Sequence, residues 1–581
     1  MRNIVFSRNR DQLIVIFASL TTLAFPLMFF GIEILSFSGI LQSQGDLTFY
    51  YVLTDSISKL KFPINDQFGF PTGLNWGYFP TANWLNLIPI SLIDAMFGIG
   101  HGLKWVFIFS FPISFLVAYA CGREIKLSKG INLLISYSAT LLPWHFYRIF
   151  HFDYGVLYPM FLCVLLGLRQ FRSGTKPDIR SRTLNYFILL CIVLSGPYYL
   201  AFTVIILLSV FFIEIIQKFE IQHAIKQFNL LIYSVIAFLI LQIPFVLGQY
   251  RDISSQRVIG RSSADTLLYG GRLDILMSPS IESNLPYFSQ FLKKLPRITQ
   301  INEAQFQSNY GTLATTIFLL VFLGYFTKLL FTSTAGHHDN EVIVLRLGVL
   351  TTFCILFFTV GGPNHLIALY LTPQIRAWNR MTPVILMLVL LGGGKSLELI
   401  LRRNKIYVSL KKSQKLLVAV GVFSLVLLDQ SPKYSAGSYL VDDARQLQSA
   451  VAAYNNKIEE LIPEKCGILQ LPVMSFPENG PINGLDTYKH FDVSLQNPNK
   501  NWTFGAVKNV PGGSYQSKYA DRSAETIFEI AKNDGLCGIH VDIRGFSVGK
   551  ETDSLIADFG VPAIVGNSGN WLFFRVLGKE S

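Results

Sequence analysis

The chain has 581 residues, 51% of them hydrophobic and only 15% charged. A soluble protein of this length would carry about a quarter charged residues, so a purely soluble globular protein is excluded. The formal net charge of +12 lies largely beside apolar segments, which points to membrane topology and anionic lipid and away from nucleic acid.

Arg2, Arg8 and Arg10 precede a first apolar run from Leu13 to Leu41. The run is too long for a secretory signal and ends without an A-x-A site, so it is expected to be a retained helix starting in the cytoplasm. A polar, aromatic stretch follows, from Gln42 to Asn86. Residues 87–99, "LIPISLIDAMFGI", are short for a crossing and carry Asp94; they predict a helix lying in the interface. Lys104 to Gly122 enters the cell and meets the basic "GREIKLSKG". Gly130 to Trp144 exits to "HFYRIFHFDYG", and Tyr154 to Leu168 returns to "RQFRSGTKPDIRSR".

The run from Leu184 to Ile216 is broken by Ser195-Gly196-Pro197, which predicts two short helices with an external turn. Asn229 to Gly248 exits into a long external loop, 249–312. Leu313 to Phe331 enters, Val344 to Gly361 exits and Met381 to Leu397 enters. "LRRNKIYVSLKKSQK" is the most basic loop and belongs inside by the positive-inside rule; Leu416 to Leu428 exits. The expected architecture is an α-helical polytopic membrane protein of about eleven spans. Its membrane part is 1–430, with external loops 42–103 and 249–312, and residues 431–581 lie outside. No internal repeat of the kind found in many transporters is visible.

The tail reads differently. "CGILQLP" (466–472), "LCGIHVDI" (536–543) and "WLFFRVL" (571–577) predict strands, and "SAETIFEIAKNDG" (523–535) predicts a helix stopped by Gly535. Strands alternating with helices predict a small α/β domain. Cys466 and Cys537 each open a strand on the oxidising side; they form either a disulfide or two buried thiols.

Candidate chemistry gathers on the external side. Asp46, in "GDLTFYY", is either a helix-end acid or a general base tuned by burial. Asp153 and His151, in "HFDYG", lie where they could face Asp46, sharing proton work or a divalent cation. No D-x-D sequence supports a metal, and zinc-type cysteine spacing and a Walker loop are missing. "IRAWNRM" sets Arg376 and Arg380 four residues apart, on one face if a helix has begun. Arginine forks suit phosphate oxygens; the other reading is structural pairing with acids or lipid. Arg272 follows a glycine pair in "YGGRLDILMSP", and Asp55, Asp66, His145, Arg148, Arg261 and His365 complete the external set.

Four stretches carry a resemblance: "GDLTFYY" after the first helix, "HFYRIFHFDYG", "RSSADTLLYGGRLDILMSP", and "RAWNRM" before a late helix. With the layout around them, they resemble the GT-C class of membrane glycosyltransferases, and bacterial multi-pass proteins with such a core and a C-terminal domain. The resemblance implies a polyprenyl-phosphate sugar donor and a glycan or lipid acceptor at the outer face of a bacterial inner membrane. It implies that Asp46 is the catalytic base and that Arg376 or Arg380 contacts the lipid phosphate. The lone Asp46, where the class often has paired acids, leaves metal dependence open. A transporter or flippase for lipid-linked sugars, or a non-catalytic scaffold, are the competing readings.

Overall fold

A computed structural model describes residues 2–41, 46–78, 83–171, 179–218, 229–230, 232–243, 260–273, 276, 311–332, 338–547 and 557–576. Most of the predicted external loop 249–312 lies outside the described residues, as do 172–178 of one basic loop.

Eight described helices are long and apolar enough to cross a membrane: Asp11–Phe30, His101–Glu124, Ile149–Gln170, Pro197–Ile215, Leu313–Leu330, Asp339–Phe358, Trp378–Arg403 and Lys412–Gln430. The other three expected crossings are shorter helices, Lys129–Thr140, Ile179–Ser195 and Ile232–Ile243. The break at residue 196 has a local cause. Gly196 takes φ +121°, a conformation that favours glycine. Pro197 then opens the next helix, where its missing N–H costs nothing.

Trp84–Phe97 is a separate 14-residue helix. Its outer face shows Ile88, Leu92 and Met96 at four-residue spacing, while Leu87, Ile90 and Asp94 turn inward. Asp94 accepts a hydrogen bond from the Gly102 N–H at 2.7 Å. Its carboxylate thus satisfies a backbone donor at the start of the next helix, which explains an acid in an apolar segment.

Polar contacts sort the helix ends into two groups. At one end, Arg169 pairs with Glu124 at 3.0 Å, Arg346 with Glu214 at 3.3 Å, and Arg403 with Glu341 at 2.8 Å. Lys395 donates to the Lys126 carbonyl at 3.3 Å, and Lys129 pairs with Asp11 near the N-terminus. These are the ends that the basic loops assign to a single side. The residues around Asp46, Asp153, Tyr198 and Arg380 gather at the other end, described below.

The C-terminal part holds a five-stranded mixed sheet of order β4-β3-β5-β7-β6, with β3 Gly467–Leu471, β4 Asn501–Trp502, β5 Leu536–Asp542, β6 Ile564–Gly566 and β7 Trp571–Arg575. A two-residue hairpin, β1 Ile64–Asn65 with β2 Leu74–Asn75, lies in the first loop. β3 runs parallel to β4 and β5, and β7 antiparallel to β5 and β6. The amphipathic helix Ala524–Asn533 packs on β5, capped by Ser523 and followed by Gly535 at φ +72°.

The sheet does not stand apart from the membrane part. Trp502 N–H donates to the Gln67 carbonyl at 2.8 Å, and Phe70 N–H donates back to Trp502 at 3.0 Å. The first loop therefore extends the sheet edge beside β4. One hydrophobic core joins Phe29, Leu47, Tyr51 and Phe107 to Leu440, Phe476, Phe491 and Phe504.

Cys466 and Cys537 are placed as a disulfide linking the starts of β3 and β5, with Cα atoms 6.0 Å apart across a sequence separation of 71. Closing a loop of that length restricts the unfolded chain and contributes about 4 kcal/mol by the chain-entropy relation. Replacing both cysteines with serine is expected to lower the thermal midpoint of the protein by several degrees, read by scanning calorimetry in detergent. An unchanged midpoint would contradict this account of the bond.

Candidate functional site

Asp46 stands at the N-cap position of the helix Leu47–Ser58, but its side chain makes no capping hydrogen bond. The helix is anchored around it. Leu47, Thr48, Tyr50 and Tyr51 are buried. Phe49 stacks on Phe476 and tilts against Tyr488, both from the C-terminal part. The carboxylate is released from capping and turns towards His151, with Oδ2 3.7 Å from Nε2.

Nearly half of the Asp46 side chain stays open, 46%, yet protein surrounds it deeply enough to strip much of its water. That desolvation raises its pKa from 3.8 to about 6. The guanidinium groups of Arg380 and Arg148 pull the value down, and Glu478 and Asp486 push it up. An acid that is open but poorly hydrated, and ionised just below neutral pH, has the properties of a general base.

Asp153 has a different situation. The Tyr50 hydroxyl donates to Oδ2, the Asn83 amide donates to Oδ1, and the Tyr199 hydroxyl donates to its carbonyl. Both carboxylate oxygens are therefore engaged. Asn83 is itself held in the left-handed region, φ +74°, and accepts from the Asn86 amide at 2.7 Å. Asp153 sits in the site, where its hydrogen bonds tie its own segment to those carrying Tyr50 and Asn83. Among the described residues no cluster of three or more His, Cys, Asp or Glu could hold a metal ion.

The two late arginines diverge. The regular helix begins only at Thr382, and Trp378–Met381 is a single 3-10 turn. The condition for Arg376 and Arg380 to share one helical face, that a helix has begun there, is not met: Pro383 fixes the helix start beyond them. Arg380 lies under the tyrosines, its guanidinium carbon 3.8 Å from the Tyr154 ring centre and 4.6 Å from that of Tyr198. The Tyr198 hydroxyl also accepts from the N–H groups of Arg376 and Ala377, at 3.3 and 3.1 Å. That fixes the strap carrying both arginines. Arg376 instead lies 4.7 Å over Tyr269 and pairs with Asp265 at 3.6 Å and Glu478 at 3.9 Å.

His365 is more remote from the acid; its Nδ1 is 2.8 Å from the Thr266 hydroxyl. The segment before Arg272 is pinned to the end of the helix Asp339–Phe358. Gly271 N–H donates to the Phe358 carbonyl at 2.7 Å, and Val360 N–H donates to Gly271 at 3.0 Å. A Cβ at Gly271 would lie 2.1 Å from the Phe358 ring, so the glycine serves this packing. Arg272 follows, half-buried.

Asp46, His151, Asp153 and Arg380 thus meet at one end of the bundle, Arg376 lies at its rim, and His365 and Arg272 belong to the segment beside it. Sequence reading assigned no role to Tyr154, Tyr198, Asn83 or Glu478. The aromatic pair is visible only once two helices meet, and Glu478 arrives from the tail.

No family model and no curated protein matches the chain. Among solved structures it is similar to ArnT from Cupriavidus metallidurans, whose crystal structure is bound to undecaprenyl phosphate. The identity is 11%, the coverage 98% of each chain and the TM-score 0.49. It is also similar to the arabinofuranosyltransferase AftD from Mycobacteria, at 11% identity and a TM-score of 0.48, over 91% of this chain and 36% of that one. At this level neither likeness bears on what the chain binds or does.

Proposed function

We propose that the chain is a membrane glycosyltransferase. It moves a sugar from a polyprenyl-phosphate donor to a hydroxyl of a glycan or lipid acceptor at the outer face of the bacterial inner membrane. The observation that carries the reading is Asp46: an uncapped, open carboxylate with a raised pKa, facing His151 under the field of Arg380. The donor class comes from the resemblance of the four external stretches to GT-C enzymes.

In this reading Asp46 accepts the proton of the acceptor hydroxyl as its oxygen attacks the anomeric carbon. The bond from that carbon to the phosphate oxygen breaks, and the electron pair leaves with the polyprenyl phosphate. Arg380 meets the charge that develops on the departing phosphate. Tyr154 and Tyr198 hold its guanidinium plane without taking up its N–H donors. Asp153 positions Tyr50 and Asn83 around the acid. The interfacial helix Trp84–Phe97 gives a long lipid a sideways entrance.

The test is purified protein with a radiolabelled polyprenyl-phosphate sugar. Release of polyprenyl phosphate together with transfer of label to an acceptor extract supports the reading. Label that crosses a vesicle bilayer still attached to its lipid supports a flippase instead.

The pKa of Asp46 sets a pH dependence. Below about pH 6 the base is protonated, so kcat/KM is expected to fall about tenfold per pH unit and to level off above pH 7. Stability responds in the opposite sense. The folded value, about 6, lies above the ordinary 3.8, so the folded chain retains a proton that the unfolded chain loses between those values. Ionisation therefore disfavours the folded state as pH rises through that window. Asp46→Asn is expected to raise the thermal midpoint at pH 8 and leave it unchanged at pH 3.5. A midpoint lowered at pH 8 would show that the carboxylate is a structural partner.

A further inference from the structure

Two charged groups that act on the acid, Glu478 and Asp486, come from the C-terminal part. Glu478 lies in the turn after Phe476, with φ +55°. The turn is fixed from both sides. Lys508 N–H donates to the Phe476 carbonyl at 2.7 Å, and Lys508 Nζ to the Glu478 carbonyl at 3.3 Å. A non-glycine residue in the left-handed region is strained, and here the strain projects a carboxylate into the membrane part.

Glu478 Oε1 accepts from Arg261 Nη2 at 2.8 Å, and Oε2 lies 3.9 Å from Arg376 Nη2. Arg261 and Arg376 come from two separate external segments, and Glu478 joins them. The fit is incomplete. At 3.9 Å the contact to Arg376 is too long for a hydrogen bond. Arg261 Nη1 is buried and has no hydrogen-bond partner among the described residues. A carboxylate offers two oxygens in one plane. A phosphate monoester offers three around a tetrahedral centre and about twice the charge, so it can bond both forks and reach the open nitrogen. Asp265 would remain on Arg376 and keep it oriented.

We infer that Arg261 and Arg376 form an anion subsite for a phosphate monoester, occupied in this structure by Glu478 as a displaceable latch. The inference rests on the proposed function only for the source of the phosphate, the polyprenyl phosphate released by transfer rather than free phosphate. Displacement of Glu478 would loosen the tail's turn from the two segments that carry Arg261 and Arg376.

The experiment compares wild type, Glu478→Gln, and the double variant Glu478→Gln with Arg261→Gln, in nanodiscs. Each is titrated separately with undecaprenyl phosphate and with inorganic phosphate. Glu478→Gln removes the competing charge at constant shape, so undecaprenyl phosphate is expected to bind about tenfold more tightly; the double variant should lose that gain. A thermal scan identifies misfolded samples, and Glu478→Asp, with its shorter reach, supplies an intermediate gain. If neither anion binds Glu478→Gln more tightly than wild type, the latch is overturned. If inorganic phosphate gains affinity while the lipid binds no variant, the anion subsite stands and the polyprenyl-phosphate reading falls.

Discussion

Asp46→Asn is expected to abolish transfer, lowering kcat about 10³-fold while the protein still folds and inserts. The amide matches the carboxylate in shape but cannot accept a proton from an attacking hydroxyl. Positioned general bases contribute 10²–10⁴-fold, so the expected loss corresponds to about 4 kcal/mol at the transition state. Folding should survive because the side chain caps no helix and its 3.7 Å contact with His151 is loose. Asp153→Asn separates the two acids. It removes an acceptor from Tyr50 and Asn83, so it should cost stability and raise KM more than it lowers kcat. Equal kcat losses from both variants, with stability intact, would mean that the acids work as a catalytic pair.

The second large effect is expected at Arg380. Arg380→Lys keeps a positive charge but loses the planar fork and its stacking on Tyr154 and Tyr198. A lysine ammonium would be a single point charge in a slot built for a plane. Transfer should fall about 10²-fold for the lysine variant and about 10³-fold for Arg380→Ala, comparable to removing an electrostatic stabiliser of a leaving group. The loss should appear in kcat, because the charge on the phosphate rises only as the sugar–oxygen bond breaks. Steady-state kinetics separate the alternatives: a change confined to KM would make Arg380 a binding residue only.

Much of this arrangement was legible from pattern. Apolar runs and basic loops sort the chain into membrane helices, and ion pairs such as Arg169–Glu124 and Arg403–Glu341 gather the expected loop ends on one side. The tail strands were readable because each is a short apolar run bounded by turn residues. Two of the expected spans are short helices. Lys129–Thr140 and Ile179–Ser195 carry the apolar composition of crossings without the full length. The site was legible one residue at a time but not as an assembly. Asp46 and Arg380 stand out because an acid and a guanidinium border apolar helices. Nothing local shows that Asp153 accepts from Tyr50 and Asn83, since those bonds depend on how three segments pack. Glu478 was invisible for the same reason: its partners Arg261 and Arg376 come from distant parts of the chain.

All of this requires that Asp46 and the strap carrying Arg380 open onto one chamber on the non-cytoplasmic side. Asp46→Cys and Arg376→Cys, made singly, can be exposed to a membrane-impermeant maleimide in intact cells and in inverted vesicles, with the unsubstituted protein setting the background of its own cysteines. The account predicts labelling of both in intact cells, none above background in inverted vesicles, and protection of both by added undecaprenyl phosphate. Labelling of the two from opposite sides would contradict it.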